Sequence, residues 1–318
     1  MSAITLASPC SRTVTPVPTG WSTTHRGIAF GLAAALIWGS YMAFSNHAVA
    51  AGLLPSDLAF IRYATAGLIL LPWLIRHAPL RLGGIGWGKG FALAVLAGPL
   101  FVLIGTSGYR FAPLAHGAVI QLGSLTVASF LLASALVGER AGRRRLTGLG
   151  IIIGGLVVTA GPSLLAGGST AWVGDLLFIV AGVMWALFTV LQRRWAIDPM
   201  AATAVVSVVS AALYVPVYLG TEGLSHIAAA SPALLVEQIL VQGVFGGVVA
   251  LFAFSRAVQD LGAGRAALFP TFAPAIAMLV GISFDGGVPT IVQLAGLLIL
   301  TAGMLVAVTS TRSAPKRA

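Results

Sequence analysis

The chain has 318 residues, of which 58% are hydrophobic and only 8% charged. A soluble domain carries about 25% charged residues, so a water-facing surface cannot be made from this sequence, and it reads as an all-α integral membrane protein. The formal net charge of +10 does not point to nucleic acid, because the basic residues lie between apolar runs, where membrane topology accounts for them.

Residues 1–26 are rich in Ser, Thr and Pro and contain no acid, which predicts a disordered cytoplasmic tail. A signal or transit peptide is the alternative, but the apolar run that follows is too long for a signal h-region. Cys10 is the single cysteine, so neither a disulfide framework nor a cysteine metal site is expected. Ten apolar runs follow: Gly27–Ser45, Asp57–Ile75, Gly90–Tyr109, Pro113–Val137, Leu146–Gly161, Val173–Gln192, Met200–Leu219, Ala233–Ser255, Ala263–Phe284 and Thr290–Val308. At about 1.5 Å per residue each can cross the hydrocarbon core as a helix. With the N-terminus in the cytoplasm, sixteen of the 18 Lys and Arg residues fall on the inside. Only Arg110 lies outside, and Arg62 lies within a span. This asymmetry fits ten spans, cytoplasmic termini and a plasma or inner membrane.

The chain repeats itself. Arg110 and Glu139 return as Arg256 and Asp285 at a shift of 146. Leu36-Ile37-Trp38 returns as Val183-Met184-Trp185 at 147, and Leu146, Gly148 and Gly155 return as Leu294, Gly296 and Gly303 at 148. A period this long belongs to the whole fold. Residues 27–161 and 173–309 form two five-helix copies, with an outer linker at 162–172 and a basic tail at 310–318. Five is odd, so the second copy enters the membrane upside down. Inverted repeats of this kind mark alternating-access carriers with substrate near the midplane; duplication kept for stability alone is the other reading.

Several residues could carry chemistry. Pro99, Pro216, Pro270 and Pro274 interrupt spans. A proline frees a carbonyl that protein or water must satisfy, so such breaks tend to line cavities. The run from Phe269 through Pro270, Thr271 and Pro274 is the strongest such signal. Trp38, Tyr41 and Trp185 lie well inside spans and are read as facing a central cavity, or as packing aromatics. Gln121 and Gln242 either line that cavity or form interhelical hydrogen bonds. Arg62 lies about 7 Å into its span. It either receives a substrate carboxylate or phosphate, pairs with Glu237 as an outer gate, or snorkels to the headgroups. The candidate substrate-binding set is therefore Trp38, Tyr41, Arg62, Gln121, Trp185, Gln242, Pro270, Thr271 and Pro274. Gly150 and Gly154, and Gly243 and Gly247, have the small-xxx-small spacing of close helix contacts, within one protomer or across a homodimer.

Other chemistries lack residues. No Walker loop and no His-Glu-x-x-His motif occurs in the sequence, so neither ATP drive, a metal nor a cofactor is expected. His47, His116 and His226 map to outer ends or loops and read as solvated, as do His25 and His77 on the inner side. Asp175 and Glu237 fall near outer ends, leaving no acid at a span centre to couple protons.

The pieces also resemble a known family. Ala35 to Ser40, Phe60-Ile61-Arg62-Tyr63, Gly138-Glu139-Arg140, Arg256-Ala257-Val258 with Leu261-Gly262-Ala263, and Phe269-Pro270 through Pro274 are similar in order to the EamA-like group of the drug/metabolite transporter superfamily. Phe284-Asp285-Gly286 departs from the usual Gly-Glu but keeps the acid. The resemblance implies a ten-helix carrier that exports small metabolites or drugs. It also implies that spans 5 and 10 lie away from the cavity, which makes span 5 the better dimer face. A membrane enzyme or sensor on the same bundle is the alternative class.

Overall fold

The computed structural model describes residues 22–77, 79–137, 142–165, 169–261, 266, 269–285 and 289–309. Glu139, Arg140, residues 166–168 of the linker, Gly262-Ala263, residues 1–21 and the tail 310–318 lie outside the described residues. Eight helices are long and apolar enough to cross a membrane: α1 Thr23–Ala50, α2 Pro55–Arg76, α3 Trp87–Arg110, α4 Leu114–Leu136, α5 Arg143–Pro162, α6 Ala171–Arg194, α7 Pro199–Thr221 and α8 Pro232–Ala257. Two shorter apolar helices follow where the last two spans are expected, α9 Phe269–Phe284 and α10 Ile291–Ala307. No strand occurs among the described residues. The protein is a multi-pass membrane protein.

The helices start where local chemistry supplies partners for their first N–H groups. Ser22, Asp198 and Ser231 cap α1, α7 and α8 with side-chain oxygens that accept from the amides of His25, Ala201 and Leu234. Pro55, Pro199 and Pro232 occupy first positions, where no N–H is needed. The Ser22 cap starts α1 at Thr23, so residues 23–26, read as tail from their polarity, are helical. Within the spans, Thr106, Thr126 and Thr159 donate their hydroxyls to the carbonyl four residues back, which satisfies a polar group in a lipid setting. Leu68, Val157, Leu279 and Leu298 stand 64–72% exposed; water could not tolerate that girdle, and lipid chains can.

Helices of the two copies interlock. α1 packs on α8 and α9, α3 on α6 and α7, α4 on α6, α2 on α7 and α8, and α5 on α10. Exchanging the copies (α1 for α6 through α5 for α10) leaves these pairings unchanged. Equivalent helices run antiparallel. On α2 and α7, Asp57 meets Tyr218 while Gly67 meets Ala211. On α5 and α10, Gly148 meets Ala307 while Thr159 meets Gly296. The α5–α10 contact is glycine-lined: a Cβ on Gly303 would stand 2.7 Å from the Ile152 nitrogen and 2.9 Å from the Gly148 oxygen. Gly150 and Gly154, by contrast, have nothing within 4 Å of where a Cβ would be. Gly243 and Gly247 pack within the protomer, against Thr65 and Ala66 of α2.

Four helices are irregular. α3 breaks at Gly98, before Pro99. Its equivalent α8 is a π-helix over Ile239–Val249, which contains Phe245, the counterpart of Gly98 at a shift of 147. α4 opens with a π-turn, Gly117–Gln121, and α9 with a 3-10 turn, Phe269–Phe272. Pro270 lies in that turn, and Pro274 takes the second position of the regular helix beginning at Ala273. Pro274 thus starts a helix rather than kinking one, because a proline ring costs nothing in a first turn.

Candidate functional site

Arg62 of α2 lies against α1 and the π stretch of α8. Its guanidinium carbon lies 5.1 Å from the ring centre of Tyr41 on α1 and 5.8 Å from that of Tyr63 on α2. Each such contact contributes about 0.5–2 kcal/mol. A single long bond, 3.5 Å, runs from Nη2 to the carbonyl of Gly246 in the π stretch of α8. Arg62 is half-buried, and among the described residues no carboxylate pairs with it. The expected partner, Glu237, instead accepts from the amide of Gln238 at 2.9 Å. The gate pair is therefore absent: matched depth on two helices does not fix matched azimuth, and the α1 aromatic occupies the space.

One turn further along α1 and α8, a polar ladder crosses the same interface. Gln242 Nε2 donates to Ser45 Oγ at 2.8 Å and to Gln238 Oε1 at 3.1 Å, and Ser45 donates to the Tyr41 carbonyl at 2.7 Å. Gln242 is fully buried, and its Oε1 has no partner. An unsatisfied buried acceptor costs about 1–3 kcal/mol, and a ligand N–H or O–H would remove that cost.

The remaining expected site residues are placed around this centre or apart from it. Trp38 stacks on Phe254 of α8 at 5.2 Å, one turn from Tyr41. Trp185 packs between Phe101 and Phe188 at 4.9 and 5.3 Å. Gln121 ends the π-turn of α4, with its amide facing Gly105. Thr271 is buried in the turn that opens α9, with Pro270 beside it and Pro274 just beyond. A cavity of about 400 Å³ opens where α1 turns into α2, lined by Ala50, Leu53, Leu54, Tyr109 and Arg110. At the opposite end Arg26 clamps Asp260, three residues past α8, through two 2.8 Å bonds from Nε and Nη2. Those bonds hold the Asp260 carboxyl below its ordinary value.

A family model described as the EamA-like transporter family matches residues 25–161 and again 172–309. The chain belongs to the EamA-like transporter family. Both copies of the repeat match, in the order expected from the motifs. An uncharacterized transporter of Bacillus subtilis, YyaM, is 25% identical over 266 residues, covering 80% of this chain and 84% of that protein. An uncharacterized transporter of Archaeoglobus fulgidus is 27% identical over 294 residues, covering 88% and 98%. A solved crystal structure at 17% identity superposes with a TM-score of 0.62 over 92% of this chain and 98% of the other, a likeness of fold.

This EamA-like chain also holds polar groups that its sequence did not single out. His116, expected to be solvated, and Asp175, expected near an outer span end, are 7% and 4% exposed and bond to each other at 2.7 Å. They lie 59 residues apart on α4 and α6, and only the helix pairing brings them together. The Tyr63 hydroxyl donates to the Ala97 carbonyl at 2.7 Å, satisfying an oxygen beside the α3 break. Asp57 is fully buried; it accepts from the Leu54 amide at 2.8 Å and from the Tyr218 hydroxyl.

Proposed function

We propose that this EamA-like protein is a secondary carrier that exports a small organic metabolite or drug by alternating access. Its ten spans form two inverted repeats in the plasma or inner membrane, with both termini cytoplasmic. The antiparallel course of equivalent helices and the arginine distribution support the inversion. The observation that carries the substrate reading is Arg62. A cation inside a span is costly and ordinarily faces a cavity or a partner. Here it has aromatic faces and one long carbonyl contact, and a carboxylate or phosphate would supply the missing charge in bidentate geometry. Gln242 Oε1, one turn away, would accept from a donor on the same solute. Broken helices such as α3 and α8 supply backbone groups that a cavity at such a midplane site can use. A homodimer would use the Gly150 and Gly154 face of α5, which the protomer leaves uncovered.

Untargeted profiling of medium and cytosol, with the protein absent or overexpressed, tests the carrier reading. The expected result is outward movement of a solute bearing an anionic group, lost in both Arg62→Gln and Arg62→Lys at equal membrane abundance. Chemical alteration of a lipid or headgroup without any changed gradient would replace the carrier with a membrane enzyme. Normal export by Arg62→Gln would remove the arginine from the site.

A further inference from the structure

Among the described residues, His116 and Asp175 are an ionisable pair closed off inside the bundle. His116 Nδ1 lies 2.7 Å from Asp175 Oδ1, and both residues are more than nine-tenths buried. His116 ends the first turn of α4, directly before the π-turn Gly117–Gln121. Asp175 lies in the second turn of α6, so the pair ties one family-matched copy to the other. The surrounding seam is tightly packed. A Cβ on Gly174 would lie 2.6 Å from Ala112, and one on Gly108 would lie 2.6 Å from the Phe178 ring.

A buried ion pair is weak evidence for stability, since desolvation offsets the attraction. Inside a membrane, ionisable residues commonly mark ion paths and proton relays. Imidazole is also the side chain whose ordinary titration falls in the physiological range. With one proton on the imidazole and none on the carboxylate, the pair carries net charge −1; a second proton brings it to zero. That change falls in a seam between the two repeats, next to a π-turn, an element often found at functional sites.

Tyr109 stands between the neighbour of His116 and the cavity at the α1–α2 turn. Tyr109 lines the 400 Å³ cavity, and its hydroxyl lies 3.0 Å from where a Cβ on Gly117, the neighbour of His116, would stand. Tyr109 and Tyr41 pack against one cluster with Met42, Leu114, Ala118 and Ala277, and Tyr41 covers Arg62. Protonation and the arginine site thus share packed neighbours. The other titratable or charged groups on the elements around the pair are Tyr109 and Arg110 at the end of α3, and Tyr41 and His47 on α1. α5 and α6 add none at this end, and Asp285, just past α9, has its side chain outside the described residues.

We propose that His116 and Asp175 form the proton-binding site of this protein. The doubly protonated, neutral pair holds α4 against α6, and release of one proton from the imidazole to water in the Tyr109 cavity loosens that end. The proposal rests on the carrier reading for its purpose, but its test needs no substrate, so the two can fail separately.

The full chain in nanodiscs, with histidines labelled by 15N, gives the first readout. The His116 signal is assigned by its absence in His116→Gln. It is expected to change with pH in the parent and to follow a different pH course in Asp175→Asn. The second readout is modification of Ala50→Cys by an impermeant maleimide, in a Cys10→Ala background. Ala50 is exposed at the cavity rim. Rates are compared between variants at the same pH, which cancels the intrinsic chemistry of the thiol. The parent is expected to open toward high pH by about tenfold relative to His116→Gln, the ratio that a one-unit difference in proton affinity between two conformers sets. Tyr109→Phe, which leaves the pair intact, is expected to keep the His116 midpoint; it covers the case in which a pair variant does not fold. A His116 signal that does not respond to pH, or one pH course shared by parent and pair variants, overturns the proposal.

Discussion

Adding one methyl group at Gly303 should loosen the bundle, and adding one at Gly154 should not. A Cβ on Gly303 would lie 2.7, 2.8 and 2.9 Å from the Ile152 nitrogen, the Ile152 Cγ1 and the Gly148 oxygen. Two of those three atoms are backbone and cannot swing aside. Comfortable contact needs about 3.5–4.0 Å, so α10 must draw back from α5 by roughly 0.8 Å. Overpacking of this kind costs about 1–3 kcal/mol. Alanine returns about 1 kcal/mol of helix propensity at either position, so the difference between Gly303→Ala and Gly154→Ala isolates the contact. That difference should be about 1–3 kcal/mol, or at least several-fold in the unfolding equilibrium. Lipid supplies no hydrophobic drive between helices, so little else compensates. Detergent-titrated unfolding in mixed micelles, followed by tryptophan fluorescence, reads the two midpoints side by side. Coincident midpoints would show that the α5–α10 approach is looser than described and would refute the reasoning.

Three further outcomes are expected. Tyr63→Phe leaves the Ala97 oxygen without its donor beside the α3 break, and should lower thermal stability by about 1–3 kcal/mol while the ring over Arg62 stays. Arg26 lowers the Asp260 carboxyl, so its stabilisation is complete above the ordinary carboxylate value of about 4 and is lost as pH falls through the lowered folded value; Asp260→Asn should flatten the acid side of a stability–pH curve. In a Cys10→Ala background, an impermeant thiol reagent applied outside cells should modify Pro289→Cys and spare Gly142→Cys, and equal labelling would contradict the inverted topology.

The spans were legible because membrane insertion is a one-dimensional property of the chain: long apolar runs and the Lys and Arg between them state it directly. The breaks at Pro99 and Pro270 were legible for the same local reason, a missing N–H. The π stretches at 117–121 and 239–249 were not. They contain no proline, and their extra residue per turn answers to neighbours such as Thr65, Ala66 and Tyr41. Arg62 was found by its depth, but its surroundings were not, because depth leaves rotation about the helix axis free. His116 reads as solvated, and Asp175 only as lying near a span end, for the same reason. Each is a helix-end residue in sequence, and only the packing of α4 on α6 encloses them.

The glycine-lined contact between α5 and α10 also sets an order of events during synthesis. Gly148 and its counterpart Gly296 are 148 residues apart, roughly 7–30 s of translation at about 5–20 residues per second. Throughout that interval α5 sits in the bilayer with its flattest face open to lipid or to a stray helix. α10, made long after α5, is the helix that closes it. A chain truncated before Thr290 would insert nine apolar segments and still carry an open seam, a feature by which a membrane quality-control protease could tell an unfinished molecule from a finished one.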